Sequence, residues 1–479
     1  MIPSRQSIAA ACGAPVSVLV LLIGTFMAVL DFFIVNVAIP DMQHDLHATN
    51  AEIELVVAGY AVAYGSALIV GSRLGDRFGR KHIFLFGVGL FTAASTVCGF
   101  TPNAEILVAG RLAQGLAAAL LSPQVLAIFG AELHPAAKTQ ALVAYGFVMG
   151  IASVFAQVFG GLLIGLDPLG AGWRACFLIN VPIGLTAMAL TARMTPESRA
   201  LGASRLDLFG MLLIFAALAA LTLPLIEGQQ QGWPTWCVIL LASAAFLFLA
   251  FLGWELRTKR KGALPLVDFE LFHEQSFTVG LLAQLAFYMS MAGFYLVLAL
   301  YLQQGRGLTP LQAGLVFIAN GAGYLCTSSQ AGRVAERLDR QVVALAGGLR
   351  AIGLGVLLLA VAGIGVGGSS WWLAPGLFLN GAGTGFAVSP LASNVLSRIG
   401  VHRAGAASGL LTTGLQVGNA MGVAVIGLIF YAALRQPAAN YAHAFNSALV
   451  YLIAMSVGLT GLVQLLPPKG SQLHVRPRA

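Results

Sequence analysis

Gly71-Ser72-Arg73-Leu74-Gly75-Asp76-Arg77-Phe78-Gly79-Arg80-Lys81 is a short charged run, rich in glycine, between two long apolar ones. Its glycines allow a tight turn and close helix approach. Asp76 can cap or pair, and the arginines can bridge helix ends. An ordinary basic loop that only orients the chain is the plainer reading, but such a loop needs no acid set among arginines and glycines. Further along, Ala335-Glu336-Arg337-Leu338-Asp339-Arg340 repeats the acid, both arginines and the apolar position at an offset of 260 residues. A repeat on one side of a membrane implies parallel halves related by an axis along the membrane normal.

The flanks show that a membrane is the setting. A helix needs about 20 mainly apolar residues to cross the hydrocarbon layer. Fourteen such runs are expected, near 15–38, 52–72, 82–100, 105–130, 139–164, 175–194, 207–226, 235–256, 276–302, 310–329, 341–364, 371–396, 405–432 and 443–466. Six spans of about 33 residues each would give an offset near 200. The surplus fits two inserted helices, the seventh and eighth. The expected organisation is a six-helix bundle at 1–194, an inserted pair with its linker at 195–274, a second six-helix bundle at 275–466 and a tail at 467–479. The fold class is all-α integral membrane, two parallel six-helix bundles plus two inserted helices. An outer-membrane barrel would show alternating segments of about ten residues, and the chain shows none.

Composition agrees. Of 479 residues, 58% are hydrophobic and only 9% charged, with 57 glycines and a mean hydropathy of +0.85. A soluble domain carries roughly 25% charged residues, so a cytosolic enzyme, a nucleic-acid binder and a disordered chain are excluded. The net charge of +8 lies in short clusters between apolar runs, which points to orientation in a bilayer. With the amino terminus in the cytoplasm, 21 of the 26 basic residues fall in cytoplasmic segments. Both termini are therefore expected there. Cys12, Cys98, Cys176, Cys237 and Cys326 are scattered without CxxC spacing, so neither a metal site nor a disulfide framework is indicated. The first apolar run is too long for a signal peptide and continues to Pro40, so it is read as a retained span.

The Gly71–Lys81 pattern resembles the loop signature of the major facilitator superfamily, where it acts as a conformational latch. Resemblance then extends along nearly the whole chain. Leu30-Asp31-Phe32-Phe33-Ile34-Val35-Asn36-Val37-Ala38-Ile39-Pro40 is similar to the first-span motif of the fourteen-span drug:proton antiporter branch. Arg111-Leu112-Ala113-Gln114-Gly115 resembles the fourth-span motif implicated in proton coupling, and Trp173-Arg174 with Phe177–Gly184 the start of the sixth span. Asp207–Gly210 opens the inserted pair, and Pro265–Asp268 precedes span nine as in relatives. Two positions depart from the pattern. Gln157 replaces the usual fifth-span proline, and Asn320 stands in span ten where many relatives show proline.

The resemblance assigns a latch to Gly71, Gly75, Asp76, Arg77, Gly79 and Arg80, with Glu336, Arg337 and Arg340 as its repeat. Asp31 is the one acid expected deep inside a span, where an ion costs about 2.5–3.5 kcal/mol. It reads as a proton-coupling carboxylate, or else as the fixed partner of an arginine. Arg111 lies at a depth suited to meet it, for coupling or for structural hydrogen bonds. Arg350 matches no motif; snorkelling to the cytoplasm competes with a role in substrate or proton handling. Asn36, Tyr60, Tyr64, Gln157, Asn180, Gln284, Asn320 and Asn380 are candidates for a substrate cavity, each also readable as a helix–helix hydrogen bond. Gly146, Gly150, Gly160 and Gly161 in span five, and Gly414, Gly418 and Gly422 in span thirteen, offer close-packing faces between the two halves.

A secondary transporter follows, rocking around a midplane cavity. The resemblance implies proton-driven export of amphipathic or cationic compounds across a bacterial inner membrane. The expected partners are a small-molecule substrate, protons and the lipid bilayer; a periplasmic adaptor protein is compatible, and nucleic acid is not expected. No cofactor is expected, and without a GxxxxGK[ST] loop ATP drive is unsupported. HExxH and GxSxG patterns are absent, so an enzyme is not expected. Export of a single endogenous metabolite, proton symport and a non-transporting receptor are the alternatives.

Overall fold

A computed structural model describes residues 5–199, 207–261, 269–396, 404–436 and 440–466. The regular structure of the described residues is all helical: α1 (Arg5–Leu46), α2 (Asn50–Phe78), α3 (Arg80–Gly99), α4 (Ala104–Glu132), α5 (Pro135–Leu166), α6 (Ala175–Leu178), α7 (Asn180–Met194), α8 (Leu208–Gln230), α9 (Thr235–Arg260), α10 (Gln275–Leu300), α11 (Pro310–Ser328), α12 (Ala331–Leu338), α13 (Gln341–Ile364), α14 (Ala374–Leu396), α15 (Ala404–Leu434) and α16 (Tyr441–Gln464). The expected Pro265–Asp268 segment and the 467–479 tail lie outside the described residues.

Among the described residues, 12 helices are long and apolar enough to cross a membrane, against the fourteen expected. The two expected spans that fall short, near 310–329 and 371–396, coincide with α11 and α14. Both are helices, but Gln312 and Asn320 in α11, and Asn380, Thr384, Pro390 and Asn394 in α14, dilute their apolar character.

Local signals at the helix starts explain why the chain turns where it does. Thr49 accepts a bond from the Glu52 amide at 3.2 Å while Glu52 accepts one from the Thr49 amide at 2.7 Å, a capping box that opens α2. Thr309 and Gln312 repeat the box at α11, ahead of Pro310. Asn103 caps α4 and Asn440 caps α16.

The packing pattern also repeats. In the first group α2 and α3 pack on α4, α1 on α5 and α7, and α3 on α7. In the second, α11 and α13 pack on α14, α10 on α15 and α16, and α13 on α16. The groups meet through α5 against α11 and α2 against α15, a reciprocal pair of contacts. Helices α8 and α9 pack on each other, with α8 resting on α2 and α15.

Candidate functional site

Four chain segments converge on Asp31 in the middle of α1. Its carboxylate is fully buried and pairs with Arg111 Nη1 from α4. The other oxygen accepts from Gln114 Nε2 at 3.0 Å and from Asn180 Nδ2 at 2.7 Å. Ser95 of α3 ties this shell together. Its hydroxyl accepts from Gln114 and Asn180, each at 2.9 Å, and donates to the Phe177 carbonyl at 3.1 Å. Asn180 opens α7 directly after Ile179, whose φ of −59° and ψ of −28° are helical, so α6 and α7 run on as one span.

Arg111 is held as firmly. Its Nε donates to the Val56 carbonyl at 2.9 Å, Nη1 also reaches Gln114 Oε1 at 2.9 Å, and the guanidinium lies over the Tyr60 ring at 4.5 Å. Such stacking is worth about 0.5–2 kcal/mol. Arg111 Nη2 has no hydrogen-bond partner among the described residues. A buried pair of this kind is costly to break, by about 3–5 kcal/mol, because one charge is left uncompensated.

Beside this cluster lies a cavity between the two groups of helices. Thr25, Phe32, Phe33, Tyr60, Tyr64, Ser122, Tyr145, Tyr288 and Met291 are on its wall, with Thr412, Gln416 and Asn419 of α15. The lining is aromatic and hydroxylic and contains no charge. Tyr60 faces both ways: its ring covers Arg111 and borders the cavity.

Of the eight residues expected on the cavity, Tyr60 and Tyr64 line it. Of the other six, five join helices and Asn36 bonds within α1. Asn36 donates to the Phe33 carbonyl at 3.1 Å, Gln157 of α5 to the same carbonyl at 2.8 Å, and Gln284 to the Leu411 carbonyl at 2.7 Å. Asn180 belongs to the Asp31 cluster. Asn320 donates to Tyr295 Oη at 3.2 Å and accepts from Asn380 at 2.9 Å. Each of the six thus donates to an internal acceptor and none lies on the wall, while the side-chain oxygens of Asn36, Gln157, Asn180, Gln284 and Asn380 have no hydrogen-bond partner among the described residues.

The glycine-rich segment lies at one end of the first group, where α2 runs on to Phe78 and α3 starts at Arg80. Gly79 has φ +107° and serves both as the end of α2 and the start of α3, a conformation that favours glycine. Arg80 donates to Asp76 at 2.9 Å and to the Ala127 carbonyl of α4 at 3.2 Å. Gly71 and Gly75 let α4 approach: a Cβ at Gly71 would stand 2.0 Å from the Ala119 carbonyl oxygen, and one at Gly75 1.8 Å from Gln124. Arg77 lies over the Phe78 ring. Glu197, which the sequence reading did not single out, accepts from the amides of Lys81 and His82 at 3.2 Å each. In the repeat, Glu336 and Arg337 are exposed, and Arg340 donates to the Gln464 carbonyl at 3.1 Å.

The glycine faces divide. Gly150 and Gly161 meet Tyr324 and Pro310 of the α11 region, across the two groups, and Gly160 meets α1. Gly146 meets nothing within 4 Å, and Gly414, Gly418 and Gly422 face α10 of their own group. Of the two expected glycine faces, that of α5 therefore reaches the other half and that of α15 does not. Asp31 is also not the only buried acid. Glu54 in α2 and Glu255 in α9 are buried, and Glu54 Oε2 has no hydrogen-bond partner among the described residues.

The family profile described as Major Facilitator Superfamily matches residues 21–267 and 280–474. The chain is 36% identical to the probable actinorhodin transporter of Streptomyces coelicolor over 423 residues, covering 87% of this chain and 72% of that one. It is 32% identical to multidrug resistance protein Stp of Mycobacterium tuberculosis (86% and 74% covered). To the methylenomycin A resistance protein of Bacillus subtilis it is 31% identical (93% and 94%). Its fold matches an inward-facing, unoccupied bacterial homologue of the human lysosomal transporter Spinster, with a TM-score of 0.66 at 16% identity over 95% of this chain and 97% of that one. The xylose transporter XylE from E. coli gives 0.64 at 14% identity over 95% and 100%.

Proposed function

Because the chain belongs to the major facilitator superfamily, we propose that it exports drugs or toxic amphipathic compounds by alternating access. It is a multi-pass membrane transporter and not an enzyme. Relatives named for multidrug resistance, drug efflux and methylenomycin A resistance support export. The wider proposal is a fourteen-span drug:proton antiporter of the bacterial inner membrane with both termini in the cytoplasm, its halves at 1–194 and 275–466 flanking the inserted pair. A periplasmic adaptor is compatible with that arrangement.

One observation carries proton coupling: the buried Asp31–Arg111 pair lies behind Tyr60, which also borders the cavity. Protonating Asp31 removes the anion that holds Arg111. The freed guanidinium and the Tyr60 ring can then shift together, which ties the carboxylate's charge to the shape of the wall. An inward-moving proton supplies about 2.3 kcal/mol per 100 mV. The test is protein in liposomes with an imposed pH gradient, recording ethidium flux and proton movement together. Coupled flux in wild type that is lost in Asp31→Asn is the expected result. Coupled flux retained in the variant removes Asp31 from the role.

A further inference from the structure

Among the described residues two arginines are fully buried, Arg111 and Arg350, and they differ in one respect. Arg111 has Asp31. Arg350, in the middle of α13, makes no ion pair among the described residues. Its Nη1 donates to Thr384 Oγ1 of α14 at 3.1 Å, its Nη2 to Ser290 Oγ of α10 at 2.8 Å, and its guanidinium lies over the Phe287 ring at 4.9 Å. The surroundings are built to hold a guanidinium but not to neutralise it.

The sequence leaves this half with almost nothing to do so. Of the chain's 18 acidic residues only Glu336 and Asp339 lie beyond Glu274. Glu336 lies in the last turn of α12 and Asp339 follows it, ahead of Gln341, which starts α13 about 14 Å from Arg350 along the helix axis at about 1.5 Å per residue. At the 260-residue offset, the position that matches Asp31 is Met291. An unpaired arginine at this depth costs about 2.5–3.5 kcal/mol, so an anion that reaches it gains strongly. Access is short. Tyr288 and Met291, on either side of Ser290, line the cavity, and so does Val388, one turn beyond Thr384. Met291 is flexible and has no polar group to satisfy. Thr384 commits its proton to the Asn380 carbonyl at 2.9 Å, whereas the Ser290 proton has no acceptor among the described residues and is left to donate.

We propose that Arg350 and Ser290, steadied by Thr384, receive the oxyanion of an amphipathic substrate, a carboxylate or sulfonate, while its apolar body lies against the aromatic wall. This rests on the export reading and narrows its substrate class. The site supplies the counter-charge that the carboxy-terminal half lacks.

The test measures binding of 1-naphthoate and 1-naphthamide to the purified full chain by equilibrium dialysis, at low and at physiological chloride, with ethidium flux in liposomes alongside. Wild type is expected to prefer the acid about ten-fold or more, the worth of one charge-assisted hydrogen bond. Arg350→Gln should bring the ratio to about one, Arg350→Lys should keep part of it, and Ser290→Ala should lower it with the arginine still present. Equal binding of acid and amide by wild type overturns the proposal, as does a preference that survives Arg350→Gln. Chloride-sensitive amide binding that vanishes in Arg350→Gln, without acid preference, assigns the site to a free inorganic anion and overturns the substrate assignment. Wild-type ethidium flux alongside any of these failures leaves the export reading standing; no flux of any compound fails both.

Discussion

Tyr60 joins two parts of the site that sequence spacing keeps apart, the Arg111 guanidinium and the cavity wall. Its hydroxyl donates to the Ala28 carbonyl at 2.9 Å and its ring lies over Arg111. Tyr60→Phe should therefore lose about 1 kcal/mol of stability and keep most flux. Tyr60→Ala removes the stacked face and should lower flux ten-fold or more with the fold retained. Melting temperature and liposome flux, read on the same preparations, separate the two. Asn180→Ala strips one donor from a buried carboxylate and should cost about 1.5–3 kcal/mol, checked by chemical denaturation in detergent. The sequence makes Asp31 and Arg111 legible because a charge inside an apolar run demands a partner. Asn180 is visible only as a polar residue in a span, and Ser95 hardly at all, since their roles depend on how α3 and α7 converge on Asp31. Glu54 escapes notice because it lies one turn into α2, where an acid reads as interfacial, whereas in the fold Gly427 of α15 packs against its carboxylate.

At the level of helices, the internal repeat runs deeper than the charged loop. Thr49–Glu52 and Thr309–Gln312 are capping boxes at the same 260-residue offset, and Gly79 and Asp339, also 260 apart, both take positive φ. Those caps are readable in the sequence as S/T-x-x-E/Q signatures, whereas the glycine faces are not. Four-residue spacing shows that a helix has a small-residue stripe but not which neighbour it meets. In α15 that neighbour is α10 of the same group; in α5 it is α11 across the interface. A Cβ at Gly161 would stand 2.4 Å from the Pro310 carbonyl oxygen, and backbone cannot rotate away. Gly161→Ala should thus wedge α5 from α11 and reduce flux ten-fold or more while helical content by circular dichroism stays unchanged. Gly146→Ala meets open space and should stay within about two-fold of wild type in the same assay. Loss of flux in both variants would show that interface spacing is not what limits the movement.

Across the whole molecule, the two groups of helices are tied at the end where α1 and α10 finish. Gln304 Nε2 donates to Gln43 Oε1 at 2.6 Å, Gln43 Nε2 to Asn50 Oδ1 at 2.6 Å, and Tyr441 Oη to Gln304 Oε1 at 3.2 Å. Four helical segments are linked by this chain of neutral bonds, one of which crosses between the groups. The cavity lies on the other side of it, toward Thr25, Ser122 and Thr412, near the ends that carry the glycine-rich loop. Alternating access requires that this closure be weak enough to open, and neutral bonds at about 1 kcal/mol each meet that need where a buried ion pair would not. Gln304→Ala removes the crossing bond together with the Tyr441 contact. A change of 1–2 kcal/mol alters a two-state ratio about 5–30-fold, so the form open at this end should gain population on that scale. Spin labels at Leu166→Cys and Trp371→Cys, both exposed at the same end, in a cysteine-free background, report the separation directly. Gln304→Ala should move the distance distribution toward the longer component, and Gln43→Ala should do the same because it breaks the same crossing bond. An unchanged distribution in both would mean that apolar packing of α1 on α10 holds the closure, with the glutamines only filling their own hydrogen bonds.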